Sequence, residues 1–143
     1  MVALSGKTAL VTGAASGIGE GMAVKLAETG ANLAICDLQE TVHDVAGKIA
    51  NDTGVKVHAD VVDVRDPDQV FRFVGEVNSH FSGLDIVIAN AGVWRPTDPV
   101  EDSKEKTIAD WDLLVNTNLK GVYLTGRASI PHLVSNGGGF ILN

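Results

Sequence analysis

Residues Thr12–Gly19, with the sequence T-G-A-A-S-G-I-G, directly follow the short run Thr8–Val11. A short apolar run that breaks into spaced glycines is typical of a parallel strand that passes into a helix at a phosphate-binding loop. Gly13 and Gly17 allow a sharp turn and, because they lack a Cβ, let a phosphate approach main-chain N–H groups. The positive N-terminal end of the following helix points at the same place. The stretch therefore predicts a dinucleotide-binding unit of strand, loop and helix.

Strand-like and helix-like segments alternate along the rest of the chain. This alternation predicts right-handed βαβ units and a doubly wound, Rossmann-like α/β fold with the strand order 3-2-1-4-5. The predicted strands are Lys7–Val11, Asn32–Cys36, Val55–Val62, Leu84–Ala89 and Phe140–Leu142. The predicted helices are Gly17–Glu28, Thr41–Asn51, Asp66–Phe81 and Thr107–Val134. The irregular stretch Trp94–Lys106 is predicted to be a surface loop.

Length and composition indicate an ordinary globular protein. The 143 residues, 45% of them hydrophobic and 20% charged, are enough for one domain with a core. A net charge of −7 argues against a general nucleic-acid binder. The single cysteine, Cys36, stands in an apolar strand pattern and is interpreted as a small buried core residue. There is neither a signal-peptide pattern nor an apolar run of membrane-spanning length, so we expect a cytoplasmic protein without a membrane partner.

Asp37 ends the second predicted strand. An acidic residue there can accept hydrogen bonds from the adenosine ribose hydroxyls and repels a 2′-phosphate. No basic residue stands within Ala14–Ser16 or beside Asp37, so the sequence favours NAD(H) over NADP(H). The alternative is that Asp37 only opens a turn, for which Asp37–Glu40 has suitable chemistry.

Two other strand ends carry candidate cofactor-binding residues. Asp63 follows the third predicted strand, where its side chain could meet the adenine amine; the alternative is that it merely neighbours a helix cap. The triplet Asn90-Ala91-Gly92 ends the fourth predicted strand. Its small residues leave room for a flat cofactor to lie across the sheet edge.

Taken together, these motifs make the chain resemble the first half or more of a short-chain dehydrogenase/reductase. The T-G-x-x-x-G-I-G motif, Asp37, the pair Asp63-Val64, the N-A-G triplet and the segment Thr117–Tyr123 follow the family's order at about its spacing. The resemblance covers Leu4–Asn143. It implies a small-molecule alcohol or carbonyl substrate and a homo-oligomer, a tetramer or dimer, with the long helix Thr107–Val134 at the subunit interface.

The resemblance also implies which residues bind the cofactor, in groups that follow the parts of a dinucleotide. The residues are Gly13, Ser16, Gly17, Ile18 and Gly19 around the pyrophosphate, Asp37 and Leu38 at the adenosine ribose, Asp63 and Val64 at the adenine, and Asn90, Ala91 and Gly92 near the adenosine and nicotinamide riboses.

Asn118 matches the family's catalytic asparagine, which interrupts regular helical hydrogen bonding and holds a water in the proton relay. From its residue type alone, a polar residue on a helix surface would be the simpler interpretation. The resemblance further implies a Ser and a Tyr-x-x-x-Lys pair after the fifth strand, where the Tyr exchanges the proton and the Lys lowers its pKa. The only tyrosine, Tyr123, is followed four residues later by Arg127 and belongs to the Asn118 motif.

We therefore expect residues 1–143 to form an incomplete dinucleotide-binding domain, because a parallel sheet of this kind needs strands beyond the fifth. The leading hypothesis is an NAD(H)-dependent oxidoreductase that interconverts an alcohol and a carbonyl, with the 143 residues inactive by themselves. One alternative is a catalytically inactive dinucleotide-binding module. Another is a flavodoxin-like signalling domain, which gives no reason for the N-A-G triplet.

The sequence also predicts the surroundings of the histidine and tryptophan side chains. The four histidines lack metal-ligand spacing and are interpreted as solvated or helix-surface residues, so no metal site is predicted. Trp111 is predicted to anchor the start of the long helix in the core. Trp94 follows the N-A-G triplet closely enough to overhang a substrate pocket.

Overall fold

A computed structural model describes residues 3–143, which form one parallel five-stranded sheet covered by helices on both faces. The strands are β1 (Thr8–Thr12), β2 (Asn32–Asp37), β3 (Val57–Val61), β4 (Ile86–Ile88) and β5 (Phe140–Leu142). The helices are α1 (Gly17–Glu28), α2 (Val42–Thr53), α3 (Pro67–Phe81), α4 (Lys104–Val115) and α5 (Val122–Ser135), with a π-helical segment at Asn116–Gly121 between the last two. The strand order β3-β2-β1-β4-β5 confirms the predicted doubly wound fold.

The central strands are buried on both faces. Along β1, Ala9 and Val11 pack toward α1 and α2, whereas Leu10 packs toward α3 and α5. This alternation follows from the two-residue period of a strand and explains why the segment reads as a continuous apolar run. Cys36 in β2 is buried, as predicted, and burial raises the pKa of its thiol, as do the charges of Asp37 and Asp60 to a smaller extent.

Most predicted elements are present, with ends that shift by one or two residues. The start of α3 shows a local cause. Asp66 is its N-cap, because its carboxylate accepts hydrogen bonds from the N–H groups of Asp68 and Gln69 at 2.9 and 3.3 Å. Pro67 fits the first turn, where no N–H partner is needed.

The prediction of one long helix over Thr107–Val134 is wrong in two respects: the helix begins earlier, and it is not continuous. Ser103 Oγ accepts a hydrogen bond from the N–H of Lys106, so α4 already begins at Lys104 and the preceding loop is shorter than predicted. The helix is then interrupted by the π-helical segment, which contains Asn118. The break that the family resemblance implied at this residue is therefore present.

Two side chains lie in other surroundings than the sequence predicted. Trp111 is 65% exposed, because α4 buries none of its residues against the rest of residues 3–143. His58 is not solvated: it lies half-buried in β3, with its ring stacked on Phe73 and His80 at centroid distances of 5.6 and 5.2 Å. Burial, followed by the neighbouring His80, lowers the pKa of His58.

Apolar side chains remain exposed on β5 and along α4 and α5. Phe140 in β5 is 76% exposed, and Ile108 and Tyr123 are exposed on the helices. Exposed large apolar side chains of this kind are typical of faces that pack against further protein. Among residues 3–143, no helix has both the length and the apolar character needed to cross a membrane. The same residues contain no group of three or more His, Cys, Asp or Glu side chains suited to a metal ion.

Candidate functional site

The carboxyl ends of β1, β2, β3 and β4 border a cleft of about 680 Å³. The chain runs from β1 outward through β2 to β3 and then places β4 on the other side of β1, so the cleft lies where the winding reverses. Ligands of open α/β sheets bind at this position. Every residue predicted to bind the cofactor lines the cleft. These residues are Gly13, Ser16, Gly17, Ile18, Gly19, Asp37, Leu38, Asp63, Val64, Asn90, Ala91 and Gly92.

The glycines of the loop between β1 and α1 have two different uses. Gly13 has a φ of +68°, and a Cβ there would lie 2.7 Å from the Cα of Ala91. A Cβ on Gly19 would overlap the carbonyl oxygen of Gly13. Gly17, at a φ of +61°, has no atom within 4 Å of the place a Cβ would take. Gly13 and Gly19 therefore serve close packing, whereas Gly17 leaves an open cradle that fits a phosphate at the N-terminus of α1.

The N-A-G triplet is fastened to this loop. Asn90 Nδ2 donates hydrogen bonds to the carbonyl oxygens of Thr12 and Gly13, both at 3.1 Å. The N–H of Ala91 donates to Thr12 Oγ1 at 3.0 Å. These bonds join residues that are far apart in the sequence and fix the ends of β1 and β4 relative to each other.

Asp37 is held by main-chain donors on both oxygens. Its Oδ2 accepts a hydrogen bond from the N–H of Ala15 at 3.0 Å, and its Oδ1 accepts one from the N–H of Gln39 at 3.0 Å. Within residues 3–143, no Lys, Arg or His nitrogen lies within 4.0 Å of this carboxylate. A carboxylate oxygen has more than one lone pair, so both oxygens can accept further hydrogen bonds from the cleft. Asp37 therefore offers a fixed negative charge at the end of β2.

Asp63 carries an ion pair that the sequence did not predict. Arg65 binds its carboxylate in a forked geometry, with Nη2 at 2.6 Å from Oδ2 and Nε at 2.8 Å from Oδ1. The side-chain hydrogen bond from Arg65 lowers the pKa of Asp63. The charges of this pair, both at the edge of the cleft, largely cancel.

The other interpretation of Asp63, as the neighbour of a helix cap, also has support. The N–H of Asp63 donates to Oε1 of Gln69 in the first turn of α3 at 3.0 Å, while Asp66 is the cap itself. The residue thus lies in the cleft and also next to the start of α3.

Asn118 is hydrogen-bonded through both ends of its amide to the chain segment that follows β4. Its Oδ1 accepts a hydrogen bond from the N–H of Val93 at 2.8 Å, and its Nδ2 donates to the Val93 carbonyl oxygen at 2.8 Å. The amide of Asn118 therefore pairs with Val93 much as a neighbouring strand would. A Cβ on Gly92 would lie 3.3 Å from Asn118 Oδ1, so the glycine permits this approach. One N–H of the Asn118 amide and further lone pairs on Oδ1 remain available.

The cleft has further lining residues that the sequence did not single out. They are Gln39, Val62, Arg65, Val93, Arg95, Leu113 and Thr117. That Arg95 lines the cleft could have been predicted from its position three residues after Gly92, because the chain there leaves the carboxyl end of β4 at the edge of the cleft. Trp94, which was predicted to overhang this region, is 76% exposed and does not line the cleft.

Comparison with known proteins agrees with this geometry. The family model for short chain dehydrogenases matches residues 7–143. Cis-4-hydroxycyclohexanecarboxylate dehydrogenase of Sinomonas cyclohexanicum is 37% identical over 99% of this chain and 55% of its own length. The structure of a short-chain type dehydrogenase/reductase from Mycobacterium marinum has a TM-score of 0.89 and 34% identity, covering 98% of this chain and 56% of that one. L-sorbose reductase from Gluconobacter frateurii, solved with NADPH and L-sorbose, has a TM-score of 0.87 and 32% identity, covering 98% and 52%.

The chain therefore belongs to the short-chain dehydrogenase family, a family of oxidoreductases that bind a nicotinamide dinucleotide. It spans about half the length of the relatives that it matches.

Proposed function

We propose that residues 1–143 form the dinucleotide-binding domain of an NAD(H)-dependent oxidoreductase that interconverts an alcohol and a carbonyl. One observation carries the proposal: the predicted cofactor residues line a single cleft that combines the open cradle at Gly17 with the fixed carboxylate of Asp37. When bound, the nicotinamide ring supplies or accepts the hydride of such a reaction.

The loop and the first helix account for binding of the pyrophosphate. The open position at Gly17 lets an anion reach main-chain N–H groups at the start of α1, where the helix dipole is positive. The neighbouring close contacts of Gly13 and Gly19 keep this cradle in one conformation.

Asp37 accounts for the choice between the two dinucleotides. Its carboxylate accepts hydrogen bonds from ribose hydroxyls and repels a 2′-phosphate, and no cation pairs with it to cancel that repulsion. The arginine that follows the neighbouring strand β3, Arg65, is bound to Asp63 and so does not neutralise Asp37. The L-sorbose reductase that binds NADPH is thus expected to differ from this chain at the ribose end of the cleft.

Asn118 acts first as a positioning residue. By binding both polar groups of Val93, it fixes the main chain that borders the cleft beyond β4. Its place in the π-helical segment supports the catalytic role implied by the family resemblance, in which this part of the helix holds a water of the proton relay.

The exposed apolar residues on α4 and α5 support a homo-oligomer. Ile108, Trp111 and Tyr123 are 53%, 65% and 65% exposed, and exposed large apolar side chains on neighbouring helices are typical of a face that packs against further protein. Light scattering on the purified protein is expected to give the mass of a dimer or tetramer, and the mass of one chain would contradict this part of the proposal.

Titration calorimetry with NADH and NADPH tests the cofactor assignment. We expect NADH to bind at least about tenfold more tightly than NADPH, because a charge-assisted hydrogen bond is worth about 1.5–3 kcal/mol and the 2′-phosphate is repelled. Asp37→Ala is expected to weaken NADH binding about tenfold and to abolish the preference. Glu40→Ala, which removes an exposed acid outside the cleft, is the matched control. Equal affinities for both dinucleotides, or an unchanged NADH affinity in Asp37→Ala, would overturn the assignment.

A second candidate function is dinucleotide binding without oxidoreductase chemistry. It is favoured by one observation: no tyrosine among residues 3–143 lines the cleft, since Tyr123 lies exposed on α5. Following NADH absorbance with a panel of ketones and aldehydes separates the two functions. Turnover supports the oxidoreductase. Because residues 1–143 are expected to be inactive by themselves, only NADH binding without turnover by the protein at its natural length supports the binding module.

A further inference from the structure

Arg95 brings an uncompensated positive charge to the cleft. Its only hydrogen bond within residues 3–143 is a long one, from Nη1 to the carbonyl oxygen of Trp94 at 3.4 Å. No carboxylate in that part of the chain lies within 4.0 Å of its guanidinium. The other arginine of the cleft, Arg65, is neutralised by Asp63. Arg95 is exposed and lines the cleft, so its guanidinium, in a chain with a net charge of −7, is available to an anionic ligand.

The strand order shows which part of the cleft Arg95 serves. Asp37 ends β2 and Asp63 follows β3, so the adenosine end lies on that side of β1. The pyrophosphate cradle follows β1 itself. Arg95 follows β4, on the opposite side, beside Val93, which Asn118 holds. The guanidinium is therefore at the end of the cleft where the nicotinamide ring and the substrate would meet.

Two acidic residues that follow Arg95 in the sequence are engaged within the loop. Asp98 accepts hydrogen bonds from the N–H groups of Val100 and Glu101 at 2.9 and 3.2 Å. Asp102 binds Nζ of Lys106 at 2.9 Å. Neither of these carboxylates, nor that of Glu101, pairs with Arg95.

Lys106 also fixes the loop that carries Arg95. Its Nζ binds Asp102 and Asp110 at 2.9 and 2.7 Å and reaches the carbonyl oxygen of Pro96 at 3.4 Å. The main chain next to Arg95 is therefore anchored to α4, and proline restricts the backbone of the residue before it. An anchored backbone reduces the entropy lost when a ligand orders the side chain.

We infer that Arg95 is a substrate-specificity residue and that the substrate carries a carboxylate group, as a hydroxy acid or oxo acid does. This inference rests on the proposed function, because it places the substrate at the nicotinamide end of the same cleft. The planar guanidinium matches a carboxylate through two parallel hydrogen bonds, which an ammonium group cannot reproduce.

Calorimetric titration of the full chain, saturated with NADH, tests the inference. The probes are cyclohexanecarboxylate and its neutral analogue cyclohexanecarboxamide. We expect the carboxylate to bind about tenfold more tightly than the amide, and Arg95→Gln to abolish this preference without changing the affinity for the amide or for NADH. Arg95→Lys is expected to restore only part of the preference. Arg127→Gln, which removes an exposed arginine on α5 outside the cleft, is the matched control and is expected to behave as the wild type.

The outcomes separate the two levels of the argument. If the wild type binds NADH but shows no preference for the carboxylate, or if Arg127→Gln loses the preference equally, the inference about Arg95 is overturned and the proposed function stands. If Arg95→Gln weakens NADH binding itself, the arginine serves the cofactor phosphates and the substrate assignment is wrong. If the wild type does not bind NADH, the proposed function is wrong, and the inference about Arg95, which rests on it, is overturned as well.

Discussion

The two sides of the cleft are built differently. On the β1–β2 side, the lining comes from the short stretch between Gly13 and Gln39, and its shape depends on close contacts of main-chain atoms. On the β4 side, the lining comes from segments that are distant in the sequence, and a side chain, Asn118, holds Val93 in place. The first side is a consequence of residue size at two glycines, one of which packs against Ala91, whereas the second depends on the approach of a helix to a strand end.

This difference determines how each side should respond to substitution. A contact between main-chain atoms has no room to relax, so adding one carbon there forces the backbone to move. A hydrogen-bonded clamp fails more gradually, because water can replace part of what is lost at an exposed position. Two substitutions test this contrast and a third tests the ion pair that follows β3, in decreasing order of expected effect.

Gly19→Ala should break the β1–β2 side. The new Cβ would overlap the carbonyl oxygen of Gly13, so we expect a loss of about 3 kcal/mol in the free energy of unfolding together with loss of NADH binding. Gly21→Ala is the control in the same helix, where no atom lies within 4 Å of the new Cβ. It should gain about 0.5–1 kcal/mol, since alanine favours a helix interior. Urea unfolding measures both, and equal stabilities for the two variants would refute the packing argument.

Asn118→Ala should loosen the β4 side. Loss of both hydrogen bonds to Val93 is expected to cost about 2 kcal/mol and to speed hydrogen exchange at the Val93 amide. Asn116→Ala is the control from the same π-helical segment, because the Asn116 side chain makes no hydrogen bond within residues 3–143. Its stability should stay within about 0.5 kcal/mol of the wild type. Unchanged exchange at Val93 in Asn118→Ala would show that the clamp contributes nothing.

Arg65→Gln should have the smallest effect, and a pH dependence that identifies its cause. The pair with Asp63 is partly exposed, so its loss should cost only about 0.5 kcal/mol at pH 7. The pKa of Asp63 is lowered in the folded protein, so this stabilisation is complete above the unfolded value of about 3.9 and disappears as the pH falls through the folded value. Unfolding at pH 7 and at a series of pH values below about 3.9 measures the difference; a cost that does not decline as the pH falls would point to lost packing by the Arg65 side chain instead of the ion pair.

The same contrast explains how much the sequence alone could predict. The alternation of segments and the glycine spacing are local, so the sheet order and the placement of the residues from Gly13 to Asp37 follow from them. The ion pair of Arg65 and the clamp between Asn118 and Val93 depend on side-chain geometry, which no local pattern contains. Trp111 was misplaced because a large apolar residue was assumed to face the core, whereas α4 has none of its residues buried within the described chain.

The π-helical segment Asn116–Gly121 gives the helices on its two sides different surroundings. One residue added to a helix rotates all that follows by about 100°, so α4 and α5 do not present the same stripe to the sheet. The second part, α5, packs into the core, and Gly121 at the end of the segment lies so close to Val64, just after β3, that a Cβ would come within 2.8 Å of its side chain. The first part, α4, buries none of its residues. The segment thus divides one continuous stretch of chain into two helices with different surroundings, and it leaves α4 accessible to a partner at the rim of the cleft, where Leu113 lies.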